Sequence, residues 1–208
     1  MTGRRATRRT RADGEESRRR ILDAAVAVAG DRGYDGTSIA LVSAECGLPA
    51  SSIYWHFKDK DELIAAVIER SFATWLSAID FPEPGAPRER VIELARAVAK
   101  ALLGAPEFLR LGLMLALERR PREPSARMVF LRSRDTAHRR FAELVREVTG
   151  GADENTVQLL TTYAIAAADG LFIAREIGGD SVDLIQLFEL HATAVFGLAR
   201  QLGVLPGG

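Results

Sequence analysis

The chain has 208 residues, 47% of them hydrophobic, with 28 Lys+Arg against 28 Asp+Glu. That length is enough for a small domain plus a larger one with its own core, and the zero net charge gives no global sign of a polyanionic partner. The single cysteine, Cys46, excludes an intrachain disulfide, and nothing points to an oxidising compartment.

Charge is nevertheless unevenly placed. Residues 1–20 hold Arg4, Arg5, Arg8, Arg9, Arg11, Arg18, Arg19 and Arg20 against Asp13, Glu15 and Glu16, a local balance of 8 − 3 = +5. Residues 1–12 are expected to form a basic, disordered arm, either a solvated tail or a segment that follows phosphates or enters a minor groove. A first helix is expected from about Glu15, capped by Asp13 with Glu16 at its third position, to Arg32, where Gly33 stops it. Its apolar face is Ile21, Ala24, Ala25 and Val28.

The next stretch, TSIALVSAECGLPASSIYWHFKDK, reads as two short helices joined at a tight turn. Thr37 is a good N-cap, Ile39, Val42 and Cys46 recur on one face, and Gly47 suits a left-handed helix end. Pro49 is able to open the second helix, where no backbone donor is needed, and Ile53 and Phe57 give it a buried side. Ser51, Ser52, Tyr54, Trp55 and His56 are left facing outward. A merely solvated helix would show Lys and Glu there. Short hydroxyls, a phenol, an imidazole and an indole suit close approach to phosphates, sugars and base edges. In the following DKDEL, Asp59 and Glu62 form a capping box, which sets Lys60 in a helical first turn where ammonium and helix dipole act together on a phosphate.

Through GYDGTSI, CGL and SSIYWHFKDKDEL the chain resembles the DNA-binding region of the tetracycline-repressor (TetR) family of bacterial regulators, over roughly Glu15 to Ile68. The resemblance implies DNA-contact roles for Thr37, Ser51, Ser52, Tyr54, Trp55, His56 and Lys60. It also implies pairing of the last two helices with their copies in a homodimer, and an effector cavity among the middle helices. One position departs from the family pattern, since Pro49 stands where a Ser or Thr commonly caps the recognition helix.

Downstream, a helix is expected from Lys60 to about Ile79, carrying Leu63, Val67, Phe72 and Leu76. After a Pro-rich break at 81–87 come Arg88 to Leu103, with Val91, Leu94, Val98 and Leu102 inward, and the short apolar segment Pro106 to Glu118. A break at 121–124 precedes Ser125 to Val148. Glu154 to Ile177, rich in Ala, and Val182 to Leu202 complete the chain. The cavity implied by the resemblance is assigned to Val98, Leu102, Leu113, Met114, Leu117, Met128 and Leu131, with His138, Tyr163 and Asp169 as polar candidates. The same apolar residues equally suit an ordinary core.

The expected fold is all-α, with about nine helices. A three-helix helix-turn-helix domain (13–60) precedes a larger helical effector-binding and dimerisation domain (61–208). His56, His138 and His191 make no metal-ligand pattern, and no phosphate-cradling Gly loop or nucleophile–base set occurs, so neither an enzyme nor a cofactor is expected. There is no signal-peptide apolar region, and no uninterrupted apolar run approaches the roughly 18 residues of a spanning helix, so the expected place is the cytoplasm and no membrane is an expected partner. The expected function is a dimeric transcriptional regulator, a repressor by the family habit, that binds a palindromic double-stranded operator and leaves it when a small organic effector binds. The alternative is a helical ligand-binding or scaffold protein that does not use DNA.

Overall fold

The computed structural model describes residues 3–80, 85–118 and 122–205, with side chains from residue 13 onward. Those parts of the expected breaks that fall at 81–84, 121 and 206–208 lie outside them. The described residues form nine α-helices: α1 (Gly3–Gly36), α2 (Ile39–Cys46), α3 (Ala50–His56), α4 (Lys60–Ser77), α5 (Pro87–Gly104), α6 (Glu107–Leu117), α7 (Ser125–Thr149), α8 (Glu154–Gly178) and α9 (Leu184–Gln201). A 3-10 turn, Gly179–Ser181, separates the last two.

Two helix starts depart from expectation. The helix α1 begins at Gly3, so the arm expected to be disordered has a helical backbone and Asp13 lies within the helix, where its carbonyl accepts from Ser17 Oγ. The segment Arg4–Ala12 contains no proline or glycine, and Arg and Ala are good helix formers, so nothing in it ends a helix. The cap of α2 is Ser38, whose hydroxyl accepts from the Leu41 N–H, rather than Thr37. Gly33 does break α1, with φ 67° and ψ −175°, a backbone conformation open to glycine almost alone.

The chain divides into two compact units. The first comprises residues 1–72 and 107–131. Its core joins Ile21, Ala25 and Val28 of α1 to Val42, Ile53, Leu63, Ile64 and Ile68. From α6 and α7 it takes Phe108, Leu111, Leu115 and Phe130. Phe72, Phe108 and Phe130 stack in series, with centroids 4.9 and 5.3 Å apart. Gly112 makes that possible, because a Cβ there would lie 2.0 Å from the Phe130 ring.

Within this unit Asp61 joins three helices. Its carboxylate accepts from the Ser125 N–H (2.7 Å), the Ser125 hydroxyl, the Ala126 N–H (3.2 Å) and the Tyr34 hydroxyl (3.2 Å). The two amides are the otherwise unpaired donors of the first turn of α7, so α4 supplies the anionic cap of α7. Partial burial pushes the carboxyl pKa up, but the bonds from Ser125, Ala126 and Tyr34 outweigh it and hold the group below its usual value.

The second unit comprises residues 73–106 and 132–208. In it α5 packs on α9 and α8 on α9, burying Leu94, Val98, Leu102, Leu160, Phe172, Leu184, Phe188 and Ala192. Arg96–Glu189 (2.8 Å) and Arg90–Glu147 (2.7 Å) add ion pairs. The segment Glu154–Ser181 is long and apolar enough to cross a membrane by length and composition, with a window of mean hydropathy 1.5, although no run is uninterrupted. Asp169 and the Thr161–Thr162 pair interrupt it, and about a fifth of the window is buried in this chain.

Asp61→Ala is expected to lower stability by about 2–3 kcal/mol at neutral pH, as befits loss of several hydrogen bonds to one charged group and a helix cap. Because the folded pKa is depressed, the stabilisation is complete above the unfolded value of about 3.9 and disappears as pH falls through the folded value. Urea titrations of wild type and variant should therefore begin to converge only as the pH falls below about 4.

Candidate nucleic-acid interface

The turn between α2 and α3 is built by side chains of the first unit. Gly47 takes the left-handed conformation (φ 65°, ψ 22°) and its N–H closes on Ser43 O. Arg20 reaches from α1 to donate to Cys46 O at 2.8 Å, satisfying a carbonyl at the α2 C-terminus. Ser43 Oγ donates to Leu48 O at 2.6 Å, pinning the entry to α3. Pro49 occupies the N-cap position of α3, one residue before the helix, and offers no side-chain bond.

On this frame α3 turns Ile53 inward, with Phe57 buried just after it, and presents Ser51, Tyr54 and Trp55 to solvent. Ser52 and His56 are half-buried. Tyr54 is 57% and Trp55 77% exposed, a large aromatic surface left uncovered on a seven-residue helix. The Trp55 ring stands edge-on to His56 at 4.6 Å, and an added Cβ on Gly14 of α1 would lie 3.8 Å from its far side. Arg18 lies over the Phe57 ring at 5.2 Å. Burial lowers the His56 pKa, and the Arg18 charge lowers it further, which favours the neutral imidazole.

The cap of α4 matches the spacing of DKDEL, since Asp59 Oδ1 accepts from Glu62 N at 2.9 Å. Glu62 reaches one residue further back than a standard capping box, to Lys58 N at 2.7 Å. Lys60 Nζ donates to Tyr34 O at 3.1 Å and sits 4.5 Å from the Tyr34 ring centre. Its ammonium is thereby held against the end of α1, with further donors beyond that bond.

Thr37 does not join this surface. It is 2% exposed, and its hydroxyl donates to Gly33 O at 2.7 Å, closing the break in α1. The sequence reading also passed over Arg18, Arg20, Tyr34 and Ser43 as builders of the site. A signal for Arg20 existed, since it stands one position before the buried Ile21 and so borders the packed face of α1.

The residues assigned to an effector cavity fall in both units. Leu113, Met114, Leu117, Met128 and Leu131 belong to the first unit, whereas Val98, Leu102, His138, Tyr163 and Asp169 belong to the second. Val98 and Leu102 are buried, Leu113 is half-buried, and Met114, Leu117, Met128, Leu131 and Tyr163 are exposed. His138 Nε2 lies 3.3 Å from Thr162 Oγ1. Asp169 pairs with both terminal nitrogens of Arg134, at 2.9 and 2.5 Å. Burial raises its pKa against the pull of that guanidinium.

Residues 21–67 match the family model described as bacterial regulatory proteins, tetR family. The N-terminal domain is that of the TetR/AcrR family. Over 64 residues it is 36% identical to the HTH-type transcriptional regulator AcrR of Shigella flexneri, a match covering 31% of this chain and 30% of that protein. Over 96 residues it is 30% identical to an HTH-type transcriptional repressor of Mycobacterium tuberculosis, covering 46% and 37%. These matches thus span about a third of the length of the curated relatives. The fold resembles that of the regulator FadR from Bacillus subtilis, solved in complex with stearoyl-CoA, with a TM-score of 0.71, 17% identity and coverage of 85% and 96%. The α2–α3 pair is accordingly the helix-turn-helix of a TetR-family DNA-binding domain.

Thr37→Val is expected to act on the fold of this domain, because its hydroxyl is spent inside the protein. Removing that buried hydrogen bond should cost about 1 kcal/mol of stability, read as a lower midpoint in thermal or urea unfolding. Thr37→Ser, which keeps the donor, should recover most of it.

Proposed function

We propose that this protein is a homodimeric transcriptional repressor whose α3 helices enter successive major grooves of a palindromic operator, and that a small organic effector releases it. The observation that carries the reading is the uncovered Tyr54–Trp55 surface on α3, flanked by Ser51, Ser52, His56 and the positioned ammonium of Lys60. Hydroxyl, phenol and imidazole contacts to phosphates fix register, while the indole covers sugar or a thymine methyl. Repression is supported by the name of the Mycobacterium relative.

Dimerisation is supported by the apolar side chains that α8 and α9 leave outside. Leu159, Ile177 and Leu190 are 59%, 82% and 66% exposed, which is costly for a lone chain and usual at an interface. Ile177→Arg with Leu190→Arg is expected to convert a dimer at micromolar concentration into a monomer, measured by sedimentation. Operator affinity should fall with it, because two half-sites about 34–36 Å apart need two linked readers.

The effector is taken to lodge among the middle helices, where Met114, Met128 and the neighbouring leucines give adaptable apolar surface. Stearoyl-CoA, seen in the FadR neighbour, is the first ligand to try. Capture of genomic fragments by the purified protein should recover one discrete palindrome, and recovery of random fragments only would reject the reading. With that operator, Lys60→Ala should weaken binding to operator and random duplex alike and shrink the salt slope by roughly one phosphate contact per subunit. Loss of discrimination at an unchanged slope would reject the anchoring role.

A further inference from the structure

We infer that Tyr34 is a positioning residue for DNA binding, one that restrains the Lys60 ammonium for a phosphate without neutralising it; this rests on the reading above, in which Lys60 anchors the phosphate backbone.

Lys60 stands among acids, with Asp59, Asp61 and Glu62 beside it in sequence. A salt bridge to any of them would make phosphate binding an exchange of one anion for another, which gains little. No such bridge forms among the described residues, because each acid is engaged elsewhere. Asp59 accepts from the Glu62 N–H at 2.9 Å, Glu62 from the Lys58 N–H at 2.7 Å, and Asp61 from Ser125, Ala126 and Tyr34.

What the ammonium meets instead is neutral. Its Nζ donates to Tyr34 O at 3.1 Å and lies 4.5 Å from the centre of the Tyr34 ring. A carbonyl and a π face attract a cation through partial charges, so they restrain the side chain while its full charge remains. Tyr34 also acts on the nearest acid, since its hydroxyl donates to Asp61 Oδ1 at 3.2 Å and helps keep that carboxylate on the first turn of α7. The tyrosine is buried and Lys60 half-buried, so a fixed ring supports a cation that solvent still reaches. A long lysine stem loses much of its freedom when it docks. Here part of that loss is met in folding, and less remains when a phosphate arrives.

The test measures affinity for the captured operator and for a random-sequence duplex against salt, with wild type, Tyr34→Leu, Tyr34→Phe, Lys60→Ala and the Lys60→Ala, Tyr34→Leu double variant. Both Tyr34 variants lose the bond to Asp61, and only the Leu variant loses the ring. Tyr34→Leu should bind both duplexes at least about fivefold more weakly, from one pre-ordered lysine in each of two subunits. It should keep the wild-type salt slope, because the charge is still present. Tyr34→Phe should regain most of the lost affinity. In the Lys60→Ala background Tyr34→Leu should have no further effect, and a loss of equal size in both backgrounds would overturn the inference by showing that Tyr34 acts on the fold alone. A second measurement needs no variant, since the chain has only the lysines Lys58, Lys60 and Lys100. With isotope-labelled lysine, the ε-methylene protons of Lys60 should resonate upfield of the other two, shielded by the ring. Equal shifts for all three would overturn the inference and leave the DNA-binding reading standing. Failure of wild type to bind any duplex would overturn both.

Discussion

The carboxylate of Asp61 is the constraint on which the first unit depends. It lies one residue after Lys60 and faces Tyr34, which closes the end of α1, while its remaining bonds cap α7. One side chain therefore ties the start of α4 to the Gly33 break and to the first turn of a helix more than sixty residues away in sequence. The charge is favoured there because two helix-terminal amides and two hydroxyls replace the water it gives up. Lys60 completes the arrangement from the other side by holding the Tyr34 carbonyl. The geometry of the reading surface thus follows from ordinary capping chemistry, applied between helices as well as within them.

The same logic explains why so short a recognition helix holds its place. Seven residues are too few for a stable isolated helix, and Pro49 gives α3 no side-chain cap. Its position comes from Ile53 and Phe57 in the core, the Gly47 turn, and the Arg20 and Ser43 bonds to neighbouring carbonyls. With anchoring assigned to those groups, the outer face is free to carry residues that contribute nothing to folding. Tyr54 and Trp55 keep most of their surface outside the core, which is why their exposure is informative.

Local signals in the sequence were enough to read most of this. Helix starts marked by Asp59 or by proline, and ends marked by Gly33 and Gly47, depend on nearest neighbours. Periodic apolar spacing likewise found the buried Ile53, Val42, Leu94 and Phe57. Contacts between distant residues were not legible. Thr37 and Ser38 are adjacent hydroxyls that both favour an N-cap, and the turn at Gly33 decides that one points inward and the other caps. Asp61 reads as a first-turn acid of α4, and its bond to Ser125 has no signature in either segment. The assigned cavity residues fared differently again, because apolar spacing marks a helix face without saying whether another helix, a ligand or a second copy covers it.

A comparison of magnitudes bears on how a ligand signal would travel through the first unit. Allosteric coupling between two ligands is typically about 1–3 kcal/mol. A single hydrogen bond to a charged group is worth about 1.5–3 kcal/mol, and Asp61 accepts four within one joint. Breaking the joint would consume at least as much free energy as an effector has to give. A joint of that strength holds α4, the end of α1 and the first turn of α7 together. Yielding belongs where the backbone has weaker ties, and Gly33 is such a place. It sits in a conformation open to glycine almost alone, an added Cβ there would lie 3.0 Å from the half-exposed Met114 side chain of α6, and its carbonyl is held by the Thr37 hydroxyl.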